Sequence, residues 1–270
     1  MRAPVAGVVA AVTVVVVAGL SLSAAGHERS EQTAPPTTRA GSTVAEPWRP
    51  CWIGGPDDLV YLTVDQAKQL TTAAAAVVQG RMTRARFAAT VAVRLGQPAE
   101  AAERIAATLL GSGSGSGSAD WLSCQVFREP VQPEPEGRSG LTPRAQRVRR
   151  AWRAQFGSLP DGGFAPGGIT TGHVDNSSHY DGRAVDVFFR PLGNAAQSRR
   201  GWVFAQWAVA HADQYNLLSV IYSDRIWTSW ASSVGWRDYV HPSGNRTNPI
   251  LRHLDHVHVA VESGDNTPGR

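Results

Sequence analysis

The sequence is poor in lysine, in cysteine and in charged residues generally, and each shortage excludes a class of protein. Lys68 is the only lysine among the 26 basic residues of the 270-residue chain, so its formal charge of +4 rests on arginine. No basic stretch alternates with stacking aromatic residues, so we expect no nucleic-acid partner. With 18% charged residues and no heptad period, the chain is neither a coiled coil nor wholly disordered. The apolar fraction of 42% is sufficient for a hydrophobic core.

Long apolar runs are also missing, except at the N-terminus. Residues 1–25 place one arginine before an apolar stretch that ends in small residues, which predicts a cleaved export signal. The alternative is an uncleaved anchor, since the run 3–20 nearly reaches membrane-spanning length. In both cases the rest of the chain is expected outside the cytoplasm, secreted or anchored by this segment alone.

The chain has two cysteines, Cys51 and Cys124. An even number of cysteines in an exported chain predicts a disulfide, and two cysteines alone cannot make a zinc site.

Changes in composition divide the remainder into further segments. A Ser/Thr/Pro-rich tether is expected first, and then a small α-helical domain with helices at 64–79, 83–95 and 98–110. A Pro/Glu-rich linker leads to a second domain and a short tail. The predicted boundaries are 26–48 for the tether, 49–126 for the helical domain, 127–140 for the linker, 141–262 for the second domain and 263–270 for a disordered tail.

The second domain mixes helical and strand patterns. A helix is predicted to begin at Thr142-Pro143, and an amphipathic helix at 198–212. Strands are predicted at 169–171, 183–189, 218–222 and 256–261, the last with one solvated face because polar and apolar residues alternate. This order of elements indicates an α+β fold with an antiparallel sheet.

Seven of the eight histidines fall in this domain. Four of these seven lie within two short strings, SSHYDGRAVD (177–186) and HLDHVHV (253–259). On a strand, Asp186 shares a face with two small residues, and His256 shares a face with His258. If the two strands are neighbours, two imidazoles and one carboxylate converge. Three protein ligands with an open fourth position are what a catalytic Zn²⁺ requires, and the ion would acidify a bound water.

These two strings resemble the SxHxxGxAxD and HxH or acid-x-x-His motifs of the zinc peptidases grouped with lysostaphin, D-alanyl-D-alanine metallopeptidases and Sonic hedgehog. The wider segment is similar to a branch of secreted proteins in high-GC Gram-positive bacteria. The resemblance covers about 141–262 and implies a hedgehog/DD-peptidase-like antiparallel sheet with flanking helices. It also implies one Zn²⁺ held by His179, Asp186 and His258.

The resemblance does not decide which residue accepts the proton of the zinc-activated water. Asp255 stands where the D-Ala-D-Ala branch usually has glutamate, and His256 stands where the lysostaphin-like branch uses histidine. A second donor for the oxyanion could come from His253, His241 or Arg225. Predicted substrate contacts are Ser177 of the first motif and the groove aromatics Trp227, Trp230 and Tyr239, although packing in the core or a loop is the alternative for these rings.

The resulting hypothesis is a secreted zinc metallopeptidase that cleaves peptide bonds in peptidoglycan or another extracellular peptide. The alternative is a zinc-stabilised cell-wall binding or scaffolding module without turnover.

Overall fold

A computed structural model describes residues 48–55, 58–112 and 120–264, which all lie within one compact unit, Glu46–Arg270. The predicted export signal and nearly all of the predicted tether lie outside the described residues, as does most of the predicted tail. None of the helices in the described ranges has the length and apolar content that a membrane crossing requires.

The first part of the chain forms a small three-stranded sheet with the order β2-β1-β3. Its strands are β1 (Cys51–Ile53), β2 (Val60–Leu62) and β3 (Ser123–Cys124). In the antiparallel β1–β3 pair, Cys51 lies directly opposite Cys124, and the two residues form the predicted disulfide.

Three helices follow the predicted pattern: α1 (Val64–Val78), α2 (Arg84–Leu95) and α3 (Ala99–Leu109). The capping box that predicts the start of α1 is present, since Thr63 Oγ1 accepts from Gln66 N and Gln66 Oε1 accepts from Thr63 N. The segment before the predicted linker therefore contains the three helices expected from its sequence, together with a small sheet that was not predicted.

Helices also flank the second sheet: α4 (Pro143–Phe156), α5 (Ala195–Ala210) and the short α6 (Ala212–Tyr215). Helix α5 is buried over most of its length and packs against α1 on one side and against the sheet on the other. One hydrophobic cluster thus includes residues from both sides of the predicted linker. The division into two domains stays a prediction.

The second sheet has six antiparallel strands in the order β4-β5-β9-β6-β7-β8. These are β4 (Asp161–Gly162), β5 (Ala184–Phe188), β6 (Leu217–Tyr222), β7 (Arg225–Thr228), β8 (Arg237–Asp238) and β9 (His256–Val261). The mixed helix and antiparallel-sheet class is confirmed. The strand predicted at 169–171 is absent, and the edge strand β4 forms earlier in the same Gly/Pro-rich segment.

Strand β9 also corrects the expectation of a solvated face. All six of its residues are buried, because β9 lies between β5 and β6 near the middle of the sheet. His256 and His258 are therefore polar residues held in the interior, where each requires a partner or a ligand.

Candidate metal centre

The two histidine-containing strings meet because β5 and β9 are neighbouring strands. In their antiparallel register Asp186 lies opposite His258, and Phe188 lies opposite His256. Asp186 shares the same face of β5 with Ala184, whose small side chain leaves room beside it. The juxtaposition on which the predicted zinc site depends is thus present in the fold.

His179 reaches these two residues from the turn that precedes β5. Gly182 N donates to His179 O at 3.2 Å, and Thr142 N donates to Gly182 O at 2.9 Å, which fixes the turn to the start of α4. The His179 ring is buried beside Asp186 and His258.

Three potential ligand atoms form a nearly equilateral triangle. His179 Nε2 lies 3.0 Å from His258 Nδ1 and 3.3 Å from Asp186 Oδ1, and the third side, His258 Nδ1 to Asp186 Oδ1, is 3.2 Å. Ligand atoms around a tetrahedral zinc lie about 3.3 Å apart, given zinc–ligand bonds of about 2.0 Å. The donor set therefore fits a zinc ion in both spacing and chemistry.

The outer nitrogen of His179 is held by the backbone of the β4 segment. His179 Nδ1 lies 2.8 Å from Gly163 O, and since a carbonyl only accepts, Nδ1 donates; in the neutral ring that binds a metal, Nε2 then carries the lone pair. A bare Nε2 directed at the other two ligand atoms is the form of histidine that binds a metal, and an outer hydrogen bond of this kind fixes the ring orientation.

Burial and hydrogen bonding set the charges of the triangle. Burial alone would raise the pKa of Asp186, but the polar contacts with His179 and His258 outweigh it and hold that pKa well below its usual range. Burial lowers the pKa of His258. The cluster therefore favours an ionised carboxylate and a neutral imidazole, which are the ligand forms of both residues.

His173 is a further residue whose ligand atom lies within 4.8 Å of those of His179 and Asp186. Its ring stacks on that of His179, with centroids 3.9 Å apart and planes at 18°. The lone pair of a ring nitrogen lies in the plane of its ring, and two nearly parallel planes at this separation do not meet at one ion close to both rings. On geometric grounds we favour His258 as the third ligand, and His173 as a residue that covers the His179 ring.

The two predicted proton acceptors, Asp255 and His256, are hydrogen-bonded to each other. Asp255 Oδ1 accepts from His256 Nδ1 at 2.7 Å, and Asp255 Oδ2 accepts from Arg190 Nε at 2.8 Å. Both carboxylate oxygens are thus occupied. His256 Nε2 faces the triangle, 3.9 Å from Asp186 Oδ1.

His253 adds a buried nitrogen without a partner. Its ring lies 4.7 Å from the ring of His256 and 5.9 Å from that of His258, and Nδ1 is buried without a hydrogen-bond partner among the described residues. Burial lowers the pKa of His253 to about 2, so the ring is neutral. Of the three predicted oxyanion donors, His253 is thus adjacent to the cluster, whereas Arg225 is paired with Asp238.

The predicted substrate residues separate into different environments. Trp227 is fully buried and its Nε1 donates to Cys124 O at 3.2 Å, so it has a packing role and cannot line a groove. Trp230 is exposed beneath the guanidinium of Arg237. Tyr239 is half-buried with its ring against His253, 5.0 Å between centroids, and it lines a cavity of about 270 Å³. Ser177 Oγ accepts from His179 N at 3.4 Å.

Sequence reasoning missed Gly163 and Arg190, which contact the site from outside the two motifs. Gly163 lies in a Gly/Pro-rich segment whose composition indicates only a turn, and Arg190 has no distinguishing sequence feature beyond its position after β5. Neither contact is foreseeable without knowing which strands are neighbours.

Residues 137–250 match the family described as VldE, C-terminal domain; this range includes His179 and Asp186 and ends before His258. No curated protein matches the chain. No solved structure matches it either.

Proposed function

We propose that the chain is an extracytoplasmic zinc-dependent hydrolase that cleaves peptide bonds in peptidoglycan. The observation that carries the proposal is the triangle of His179 Nε2, Asp186 Oδ1 and His258 Nδ1, with sides of 3.0 to 3.3 Å. Peptidoglycan as the substrate follows from the motif resemblance and from the predicted export signal.

The three triangle residues would hold the ion, and the ring of His179 is oriented by its contact with Gly163 O. Zinc bound by such a set supplies a water of lowered pKa and polarises a carbonyl group. Two histidines and one carboxylate also accept other divalent ions, and zinc is the ion that the motif resemblance implies.

The surrounding residues supply the proton transfer and the charge stabilisation. His256 Nε2 faces the triangle and accepts the proton of the attacking water, while Asp255 holds the ring through Nδ1. His253, whose ring lies 5.9 Å from that of His258, would donate to the oxygen that develops negative charge. Tyr239, whose ring contacts that of His253, also lines a cavity of about 270 Å³ in which a substrate could extend beyond the cluster.

The test begins with zinc content. Purified wild type should contain about one zinc per chain, and His258→Ala should contain none, because the ion would lose one of three protein ligands. His211→Ala is the matched control: His211 lies at the end of α5, its Nδ1 donates to Trp207 O, and its loss should leave zinc unchanged.

Hydrolysis of peptidoglycan fragments is then compared between wild type and His256→Ala. The variant should keep its zinc and lose about a hundredfold or more in rate, as expected for removal of a general base. A zinc-loaded wild type that hydrolyses no fragment would contradict the enzyme and favour the binding module. Wild type without zinc after loading would contradict both.

A further inference from the structure

Arg190, Asp255 and His256 form a hydrogen-bonded chain that ends at the candidate metal centre. Arg190 Nε and Arg190 Nη2 each lie 2.8 Å from Asp255 Oδ2. The other carboxylate oxygen, Oδ1, accepts from His256 Nδ1 at 2.7 Å. Each oxygen of the carboxylate therefore has a partner on a different side.

This arrangement determines which nitrogen of His256 faces the site. The contact of Arg190 with Oδ2 favours the ionised form of Asp255, and an ionised carboxylate only accepts, so the hydrogen between Oδ1 and His256 belongs to Nδ1. His256 Nε2 then carries the lone pair and points toward Asp186 Oδ1, 3.9 Å away. Without a fixed carboxylate, either nitrogen of a neutral imidazole can carry the proton.

Arg190 is itself held in place by the end of β5. Its guanidinium lies over the ring of Phe188, 4.2 Å from the ring centroid, and that ring is 5.6 Å from the ring of His256. Phe189 N donates to Asp255 O at 2.8 Å, which ties the two segments together at the backbone. The chain of contacts thus rests on a packed strand end.

We propose that Arg190 is a positioning residue that fixes the proton of His256 on Nδ1 by clamping Asp255. Asp255, which precedes β9, thereby orients His256 and does not itself accept the proton of the attacking water. The part of this inference that concerns catalysis rests on the proposed function; the part that concerns the His256 tautomer does not.

The decisive measurement is the protonation pattern of the His256 ring nitrogens by ¹⁵N NMR, in metal-free and zinc-loaded full-length protein. In wild type, Nδ1 should carry the proton and Nε2 should be bare. Arg190→Met and Arg190→Gln, which remove the charged clamp, should shift His256 toward a mixture of the two tautomers. Arg190→Lys should restore much of the wild-type pattern.

Arg200→Met is the matched control. Arg200 lines the same cavity of about 320 Å³ as Arg190, and its hydrogen bond is to Gln197 rather than to Asp255. It should leave the His256 pattern unchanged. In hydrolysis, loss of Arg190 should lower kcat by about ten- to a hundredfold with the zinc content unchanged, as is typical for an outer partner of a site.

The outcomes separate cleanly. A His256 pattern that is the same in wild type and in whichever uncharged Arg190 variant folds would overturn the proposal, and so would a wild-type proton on Nε2. If no hydrolysis is found at all, the proposed function fails while the NMR comparison still decides the role of Arg190.

Discussion

At the scale of single residues, the backbone of Gly163 approaches the ring of His179 at a position where only glycine leaves room. A Cβ there would lie 2.4 Å from Cε1 and 2.5 Å from Nδ1 of His179, and the φ angle is +78°. The absent side chain lets Gly163 O accept from the outer nitrogen of His179. Orientation of the ring therefore depends on a residue that precedes it by 16 positions.

We expect Gly163→Ala to displace the His179 ring and to weaken zinc binding by about ten- to a hundredfold, the usual effect of disturbing an outer partner of a ligand. Competition with a chromophoric chelator measures this. Gly167→Ala is the control, because Gly167 has a similar φ of +85° and no atom within 4 Å of the added Cβ. Equal weakening in both variants would assign the effect to backbone strain alone.

At the scale of elements, the sequence predicts helices well, because caps and amphipathic patterns lie within the helix itself. Thr63 and Thr142 cap their helices through their side chains, and the amphipathic pattern of α4 buries Val148 and Trp152. The strand predicted at 169–171 was wrong, since short apolar runs do not say whether a pairing partner exists. The burial of both faces of β9 was also missed, because alternation suggests one solvated face whereas position in the sheet decides exposure.

The disulfide belongs to this scale, because it joins opposite residues of β1 and β3. The double variant Cys51→Ser, Cys124→Ser should lower the free energy of unfolding by about 4 kcal/mol, as the bridge closes a loop with a sequence separation of 73. Urea denaturation under non-reducing conditions measures the change. Zinc binding should persist if the variant folds, since the ligand triangle lies in the other sheet. A loss below about 1 kcal/mol would contradict the entropic argument.

At the scale of the whole molecule, buried indoles connect the two sheets. Trp227 Nε1 donates to Cys124 O, and Trp236 Nε1 donates to Leu122 O at 2.9 Å. The side chain of Gln206 on α5 accepts from Leu122 N at 3.1 Å. The segment around β3 is thus fastened to the second sheet and to its covering helix, which explains why Trp227, predicted for a groove, is found inside.

A ligand that binds the folded chain should stabilise the whole molecule. At free zinc about a hundred times its dissociation constant, the free energy of unfolding should rise by about 2.7 kcal/mol. For a unit of this size that corresponds to an increase in Tm of about 5–10 °C. Thermal unfolding with zinc and with excess chelator measures the difference. His258→Ala should show no increase, and an unchanged wild-type Tm would contradict the site.

The sequence by itself determined the helices with their caps, the α+β class, the pairing of the two cysteines, and the two strings that contain His179, Asp186 and His258. These follow from local propensity, from periodicity and from residue types that carry particular chemistry. Only the tertiary structure decided that β5 and β9 are neighbours, that Gly163 contacts His179, and that Arg190 forms an ion pair with Asp255. These contacts join residues 72, 16 and 65 positions apart, and they depend on strand order and register, which local sequence does not encode.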